Sequence, residues 1–537
     1  MRTIAAMIFF VLATMIAQQA VAQQSCPTLV VSNNNDVVNG NTSSPCALIA
    51  DPGPDGISLR EAVLAADNAT GSGTITITFA STLAGQTIAP SSSNGCCLII
   101  TRDYVTIAGL VQSGQPAITI DASNMFILFS VTASNFTLTS LNITGLQAAN
   151  PGDKYGVSVR AGATSGEIQV SNILIQGNVF SNNPSVTTAG IPVSVGMDSQ
   201  ATGAMLSNVT IANNIFTNFL NQPDAVNVQV WGTNNTIQNV LILGNTFTDI
   251  SFPVELVPAH SASGGRILGT RIIGNSFNSS QQPINLNIIG EDGQAATTKN
   301  VIDGTVIERN VFSGNAGPAI VLLGGGNSTG SSVAETLNAI TNTQIINNLV
   351  TGDTTYGAVS VVGGRAGASQ NSVSGVSIVN NTFANYSGTQ GNGGAISVNN
   401  NLQGGTNNTV SGVSVLNTIL WNNTPSDFDG VTPSQVTTSI TAQAGFAGVN
   451  GNISSNPQFV NPTSNFELQS GSPARHAGTV AGAPAIDLDC QPRGSPPSIG
   501  AYEFDGPNIC PSSAGELPSD THDFNGDGMS DVLWRDT

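Results

Sequence analysis

The stretch "TRIIGNSFN" at residues 270–278 places two isoleucines before a Gly-Asn pair and a phenylalanine two residues after the Asn. This apolar–Asn–apolar phrase occurs eight times in the chain, for example as "LIQGNVFSN" from residue 174 and "LILGNTFTD" from residue 241. The central residue recurs every 30–38 positions, at Asn178, Asn214, Asn245, Asn275, Asn310, Asn348 and Asn381. A period of this length indicates a solenoid or a propeller.

Each repeat also carries a second apolar phrase, such as "AVNVQVWG" from residue 225 and "QPINLNIIG" from residue 282. Apolar and variable positions alternate with a period of two, and Gly, Asn, Ser and Thr abound, which is typical of strands and turns. The sequence therefore predicts an all-β, right-handed parallel β-helix in which each repeat forms one coil, about 4.8 Å from the next. A propeller is the alternative, but its four-stranded blades need more strand phrases than each repeat contains.

Stacked coils place each Asn above the one before, where its side-chain amide can bond turn backbone and neighbouring amides. The phrase is thus first a structural device. The aromatic residues two positions later are predicted to point inward and to stack; they are Phe180, Phe216, Phe247, Phe277, Phe312 and Phe383.

Composition and charge limit the classes of function. The chain has 537 residues, of which 40% are hydrophobic and 8% charged, so a disordered chain is excluded. Its formal net charge of −19 argues against a nucleic-acid partner, because phosphate binding requires clustered Lys and Arg.

Residues 1–22 have the pattern of a secretory signal: Arg2, an apolar stretch at 4–17 and the small-x-small sequence Ala20-Val21-Ala22. No later run is long and apolar enough to span a membrane. We expect a mature chain that starts near Gln23, is secreted or held at the cell surface, and is monomeric.

The six cysteines lie toward the two ends of the chain, at Cys26, Cys46, Cys96, Cys97, Cys490 and Cys510. Their even number in an exported chain favours disulfides, and the simplest pairings join the first two and the last two. The adjacent middle pair bonds either to itself or to nothing. A metal site is the weaker alternative, since there is no Cys-x-x-Cys and no nearby His.

The segment "DGISLREAVLAADN" at residues 55–68 predicts a helix that covers the first coil. Ser58 and Glu61 form a capping box. Leu59, Ala62, Val63 and Ala66 fall on one helical face, which suits a lid over an open apolar end.

This segment resembles the C-S-L-R-E-A motif near the start of bacterial secreted β-helix proteins, with Ile57 in place of the motif's Cys. The stretch "GSPARHAGTVAGAPAIDLDCQPRGSPPSIGAYEF" at residues 471–504 is similar to the closing module of the same proteins, with Ser498 where Asp is common. The resemblance implies export and a surface or extracellular role, but no single reaction.

The expected organisation follows from these segments. Residues 23–145 form the N-terminal cap and first coils, 146–425 the central coils, 426–505 a C-terminal capping module, and 506–537 a linker with a partial calcium loop.

The calcium loop is the sequence "DFNGDGMSDVLWRDT" from residue 523, which resembles the first part of an FG-GAP repeat. Gly528 permits a sharp turn, and Trp534 stands where an EF-hand carries its Glu. Five residues at spacings suited to Ca²⁺ could supply oxygens: Asp523, Asn525, Asp527, Met529 through its carbonyl, and Asp531. The alternative is a polar tail that binds no metal.

The second strand phrases, aligned on their inward valines, predict one outward column: Ser194, Asn227, Glu255, Asn285, Val321, Ser360 and Ser397. Glu255 is the only centred acid, with Asp224 and Asp249 at nearby strand edges. It is therefore the candidate catalytic residue, and Asn227, Glu255 and Asn285 are the candidate ligand-binding residues.

A glycosidase needs two carboxylates at a defined separation, and a lyase of this kind needs a calcium cluster and a base. None of His260, His476 and His522 stands in a Ser-His-Asp setting. The first hypothesis is a secreted, non-catalytic β-helix scaffold that binds a polysaccharide or cell-surface glycan. The alternative is a polysaccharide lyase or glycoside hydrolase of the same fold, which two or three acids within reach on one sheet would favour.

Overall fold

The computed structural model describes residues 26–147, 154–162, 168–183, 188–198, 200–259, 262–290, 297–327, 335–352, 357–387, 393–504 and 510. They form an all-β parallel β-helix of about nine turns. The predicted fold is therefore confirmed. The α-helices are Pro45–Ala50 and Leu59–Asp67, and short 3₁₀ turns lie at Ser81–Leu83, Ser92–Asn94 and Pro433–Gln435.

Two long parallel sheets run along the helix. The first contains 18 strands, which are Thr28–Val31, Ile75–Phe79, Val105–Ala108, Phe136–Thr139, Gln169–Gln176, Met205–Ala212, Thr236–Leu243, Arg266–Leu268, Arg271–Ile273, Val301–Asp303, Val306–Glu308, Ala339–Thr341, Gln344–Ile346, Ser372–Ser374, Ser377–Val379, Thr409–Ser411, Ser414–Leu416 and Val436–Thr437.

The second sheet contains 20 strands, which are Thr87–Ile88, Leu98–Ile100, Thr119–Asp121, Ile127–Val131, Asn142–Thr144, Tyr155–Ala161, Val179–Ser181, Ile191–Met197, Ile215–Val230, Thr246–Pro258, Ser276–Asn278, Ile284–Gly290, Val311–Ser313, Ile320–Asn327, Leu349–Thr351, Val359–Gly364, Thr382–Ala384, Ile396–Asn401, Ile419–Trp421 and Phe428–Asp429. Three two-stranded pairs complete the described strands: Val111–Gln112 with Gln115–Pro116, Glu335–Thr336 with Ala368–Ser369, and Phe459–Asn461 with Asn465–Leu468.

Equivalent strands of successive repeats pair in register, which is what distinguishes a β-helix from a propeller. Ile242 pairs with Ile272 in the first sheet, and Phe247 pairs with Phe277 in the second. Since the partner of each strand lies one repeat away, each repeat is one coil.

The phenylalanines stack as predicted. The rings of Phe180 and Phe216 are 5.0 Å apart between centroids and nearly parallel, and those of Phe277 and Phe312 are 4.8 Å apart. Val350 then takes the inward place between Phe312 and Phe383, so the aromatic column is interrupted there.

The predicted asparagine column is a hydrogen-bonded ladder. The Asn275 Oδ1 accepts from the backbone N of Asn245 at 2.9 Å and from its Nδ2 at 3.0 Å. The Asn275 Nδ2 donates to the Ile242 carbonyl at 2.9 Å and to the Asn310 Oδ1 at 3.0 Å. Each of these amides is almost fully buried. The ladder therefore satisfies backbone groups that the turns would otherwise leave unpaired.

A second buried ladder lies in the polar segments between repeats. Asn300 bonds Asn338, and Asn371 bonds Asn408, through side-chain amides at 3.1 Å. Its sequence separations, 38 and 37 residues, lie within the range of the first ladder. The sequence analysis treated these segments as variable connections and missed the column.

The predicted lid helix is confirmed as Leu59–Asp67, with both hydrogen bonds of the capping box formed. Glu61 is fully buried, and its Oε1 accepts from the backbone N of Asn39 and of Gly40, each at 2.7 Å. The neighbouring Arg60 forms a buried salt bridge with Asp36 at 2.8 Å. The lid is thus fixed by buried polar contacts as well as by its apolar face.

The C-terminal module runs back along the side of the coils as well as closing the last one. Asn347 donates to the Ile486 carbonyl, Asn380 to the Ser498 carbonyl, and Asn417 to the Thr479 carbonyl, at 2.7–3.0 Å. These three asparagines come from successive coils, so the module ties the coils together laterally.

The cysteine pairings agree with the simplest expectation. Disulfides join Cys26 to Cys46 and Cys490 to Cys510, and the adjacent Cys96 and Cys97 bond to each other. Among the described residues, no helix combines the length and apolarity needed to cross a bilayer. The predicted signal at 1–22 and calcium loop at 523–531 lie outside the described residues.

Asn275→Ala is expected to destabilise the protein by about 1–3 kcal/mol, because it leaves buried backbone and amide groups unpaired on both neighbouring coils. Equilibrium denaturation measures the change in the free energy of unfolding. Asn239→Gly is the control, since Asn239 belongs to an exposed row, bonds Asn208 at 3.2 Å, and has a positive φ that glycine tolerates. Equal losses from the two substitutions would contradict a structural role for burial in the ladder.

Candidate functional site

The outward column of the second sheet is in the predicted register. Ser194 pairs with Asn227, Asn227 with Glu255, and Glu255 with Asn285. The column continues through Val321, Ser360 and Ser397. Parallel stacking has therefore brought the three candidate residues onto adjacent coils.

These residues are less exposed than expected. Asn227 is 3% exposed and Asn285 is fully buried, while Glu255 remains half-buried. The two amides of this outward column are therefore covered by neighbouring groups and not open to solvent. Each amide nitrogen bonds the residue three positions before it: Asn227 to the Asp224 carboxyl at 2.5 Å and Asn285 to the Gln282 carbonyl at 3.0 Å.

Asp224, expected only at a nearby strand edge, lies against Glu255 as a second acid. Its carboxyl group forms a side-chain hydrogen bond with Glu255 on the next coil. Burial raises the pKa of Asp224 well above its usual range, the Glu255 charge raises it further, and the hydrogen bond from Asn227 opposes both. The two carboxyl groups therefore oppose each other's ionisation, as like charges on neighbouring acids do.

The contact coincides with an irregularity in the register. Phe219 pairs with Ile250, and Asp224 pairs with Phe252. Between these two pairs, one strand advances by five residues and its partner by only two. Three extra residues therefore enter one coil immediately before Asp224. Alignment of the inward valines across all coils cannot show this local insertion.

Three amide oxygens around the acid pair are buried and accept no hydrogen bond within the described structure. They are the Oδ1 atoms of Asn227, Asn285 and Asn287. The Nδ2 of Asn287 donates to Glu255 at 3.1 Å. Buried acceptors without partners are rare in proteins, and here three of them flank one pair of acids.

Arg160 lies two coils beyond Asn227, with Ser194 on the coil between them. Its guanidinium donates to the Ser194 Oγ at 3.0 Å and lies 5.7 Å from the ring centroid of Tyr155 and 6.0 Å from that of Trp231. Burial lowers the pKa of Arg160, and the nearby Tyr155 and Asp198 partly offset that effect. No ion pair joins Arg160 to a carboxylate in the described part of the chain.

The cationic side chain is close to a glycine. A Cβ at Gly196 would meet Arg160 at 2.6 Å and the Gln229 carbonyl at 2.9 Å, so a side chain at Gly196 would displace the guanidinium. The sequence analysis missed Arg160, Tyr155 and Trp231. One feature of the sequence could have identified Arg160. It is a basic residue on the outward face of a strand, two positions after Ser158, in a chain with very few basic residues.

The remaining candidates stand apart from this cluster. Arg309 pairs with the adjacent Glu308 at 3.5 Å, and Arg271 lies in the first sheet. The His476 Nδ1 lies 3.3 Å from the Pro496 carbonyl in the C-terminal module. His260 and His522 fall outside the described residues.

No protein-family model matches the chain. No curated protein matches its sequence.

Among solved structures, the chain is similar to the A-module of the mannuronan C-5 epimerase AlgE6 of Azotobacter vinelandii. The two are 13% identical with a TM-score of 0.29, over 74% of this chain and 96% of that one. Pectate lyase Pel9A is 14% identical with a TM-score of 0.31, over 89% and 97%. A PL6 alginate lyase in complex with a trisaccharide is 13% identical with a TM-score of 0.31, over 82% and 95%. Scores of this size do not connect the chain to the activity of any of these proteins.

A second group of acids lies in a cleft of the C-terminal module, lined by Glu467, Asp487, Asp489 and Tyr502 among others. Burial, followed by the nearby charges of Asp487 and Glu467, raises the pKa of Asp489 to about 6. The cluster is part of the module's interior packing, and its polar contacts include the bond from the Glu503 backbone to Asp487 at 2.6 Å.

Asp489→Asn is expected to raise the melting temperature at pH 7 more than at pH 4. Between about pH 4 and pH 6 folded Asp489 holds a proton that the unfolded chain has released, so stability falls as the pH rises through this window. Thermal unfolding at several pH values measures the difference between variant and wild type. Asp51→Asn, at an exposed acid, is the control. A difference independent of pH would contradict the raised pKa.

Proposed function

We propose that this protein is a secreted or cell-surface β-helix that binds an extended polysaccharide along the outward face of its second sheet. The observation that carries the proposal is the in-register column from Ser194 through Asn227 to Glu255 and Asn285, with the Arg160 side chain bonded to Ser194 at its end. The three disulfides fit an oxidising compartment.

The spacing of the row suits a chain-like ligand. Successive coils lie about 4.8 Å apart, so polar groups repeat at that interval along the helix axis. The partly exposed members, Arg160, Gln229, Trp231, Glu255 and Asn287, offer hydrogen-bonding groups together with an aromatic ring. The buried amides of Asn227 and Asn285 support this row from below. We therefore assign them an indirect role in binding.

Arg160 favours a glycan that carries negative charge. Its guanidinium is partly withdrawn from water, lies 5.7 Å and 6.0 Å from two aromatic ring centroids, and has no described carboxylate in an ion pair. A uronate or sulfate group would supply that partner through charge-assisted hydrogen bonds. The rest of the chain is strongly acidic and repels anions. Arg160 is therefore a local exception on this surface.

Arg160→Ala is expected to weaken binding of a uronate-containing polysaccharide by at least about tenfold, the loss of one charge-assisted contact. Binding of a neutral polysaccharide should change little. Isothermal titration calorimetry on both ligands measures the two affinities. Arg266→Ala removes an exposed Arg of the first sheet and serves as the matched control. An equal loss from the two substitutions would contradict a site on the second sheet.

The contact between Asp224 and Glu255 favours the catalytic alternative as a second candidate, because acids within reach of each other can move protons. Their direct hydrogen bond is closer than the separations that glycoside hydrolases use, which are about 5–5.5 Å or 6.5–9.5 Å. Among the two enzyme classes, this arrangement therefore disfavours a two-carboxylate hydrolase and leaves a polysaccharide lyase.

Glu255→Gln separates binding from catalysis. If the site only binds, a panel of polysaccharides yields no products with the wild type, and the variant still binds within a few-fold. If the site is a lyase, the wild type releases unsaturated products, and the variant loses about 10²–10⁴-fold in turnover while still binding. Absorbance of the unsaturated products measures turnover, with Asp249→Asn as a control that should retain wild-type behaviour.

A further inference from the structure

We propose that Phe126 and Tyr155 form a stacking subsite for one sugar ring of the glycan, at the N-terminal end of the face that carries Arg160. This inference rests on the proposed function and adds a second contact of different chemistry to it. The apolar face of one sugar unit packs on the two aromatic rings, while an acidic group of the chain meets the Arg160 guanidinium. The glycan therefore extends from the coil of Phe126 toward that of Glu255.

Phe126 is the most exposed aromatic side chain in the part of the chain that the structure describes. It is 56% exposed, whereas core phenylalanines such as Phe180 are fully buried. It immediately precedes the strand Ile127–Val131 of the second sheet, and its ring meets that of Tyr155 at 6.3 Å between centroids and 74° between planes. In such an edge-to-face pair neither ring covers both faces of the other, so Phe126 keeps an open face.

The aromatic pair is continuous with the cation of the proposed binding face. The Arg160 guanidinium lies 5.7 Å from the Tyr155 ring centroid and donates to the Ser194 Oγ at 3.0 Å. Tyr155 pairs with Ile127, so Phe126 lies one coil, about 4.8 Å, before the strand that carries Tyr155 and Arg160. An extended polysaccharide advances by a similar distance per sugar unit. Neighbouring units can therefore meet the rings and the guanidinium together.

Two hydroxyl groups beside the rings form no hydrogen bond with any described residue. They are the Tyr155 Oη and the Ser130 Oγ, and both side chains are half-buried. Ser130 lies in the outward column of the second sheet, paired with Ile99 on one neighbouring coil and with Ser158 on the other. Ile99 is itself 46% exposed. Exposed apolar surface with a few free hydroxyls matches a sugar ring, which presents apolar C–H groups and hydroxyls.

The charges around the subsite set the placement of an acidic sugar. Lys154, next to Tyr155 in the sequence, donates its Nζ to the Ser123 carbonyl at 2.5 Å, so a backbone group already occupies its ammonium. Arg160 therefore remains as the cation that meets a carboxylate or sulfate. Charge complementarity directs the acidic group to Arg160 and leaves the uncharged ring face for Phe126.

The test is isothermal titration calorimetry of the full chain with hexasaccharides of galacturonate, of mannuronate and of sulfated galactose, at low and at high salt. Phe126→Ala should weaken binding about fivefold, because it removes one ring contact. The loss should be equal at both salt concentrations, whereas the loss from Arg160→Ala should shrink at high salt, where charges are screened. Phe126→Tyr keeps the ring and should retain wild-type affinity.

Tyr104→Asn is the matched control. It removes a ring that is 41% exposed just before the strand Val105–Ala108 of the first sheet, and Asn tolerates the positive φ found there. It should leave the affinity unchanged. Since Phe126 and Tyr104 are both exposed, neither substitution empties the core, and thermal unfolding checks that both variants fold.

The outcomes separate this inference from the proposed function. If Arg160→Ala weakens binding and Phe126→Ala does not, the stacking subsite is overturned and the proposed function stands. If the wild type binds none of the three hexasaccharides, both are overturned. If Phe126→Ala changes the oligomeric state in light scattering but not the affinity, the exposed ring belongs to a contact between copies of the chain, and the subsite is again overturned.

Discussion

Hydrogen bonds between buried asparagine amides on successive coils fix the register on which the rest of this structure depends. In a parallel stack, a slip of one residue would turn the apolar face of a strand outward. The Asn245–Asn275–Asn310 steps oppose such a slip, because each amide bonds both the backbone and the side chain of its neighbour. The phenylalanine stack beneath them can hold only when that register holds.

The candidate site is a consequence of the same register, and its chemistry contrasts with that of the ladder. Glu255 follows Asn245 by ten residues and Asn285 follows Asn275 by ten, so the ladder sets the outward column coil by coil. In the ladder, every amide oxygen has a donor. Around Asp224 and Glu255 the amide oxygens have none. Proteins tolerate such exceptions chiefly at functional sites, which makes this cluster, and not the ladder, the candidate site.

The sequence predicted those features that repeat with the coil. The repeated motif around Asn275 was sufficient to predict the fold. The inward valines of the second strand in each repeat predicted the correct alignment of Asn227, Glu255 and Asn285. The second ladder was hidden because its asparagines lie in segments of unequal length, where a fixed motif cannot be seen.

The contact between the two acids could not be read from the repeat at all. It depends on three extra residues before Asp224, a departure from the pattern used for the alignment. Burial of Asn227 and the position of Arg160 near two aromatic rings likewise arise from contacts among residues that no periodicity links. The repeats in the sequence specify the scaffold. The candidate site consists of residues that depart from the repeat pattern.

The central claim is that the outward face of the second sheet, from Arg160 to Asn287, is the surface on which this protein acts. The most direct measurement is a crystal structure of the protein with a uronate-containing oligosaccharide. The account predicts density for a sugar chain parallel to the helix axis, with an acidic group against Arg160 and a neighbouring unit beside Glu255. Density confined to the first sheet or to the C-terminal module would contradict it.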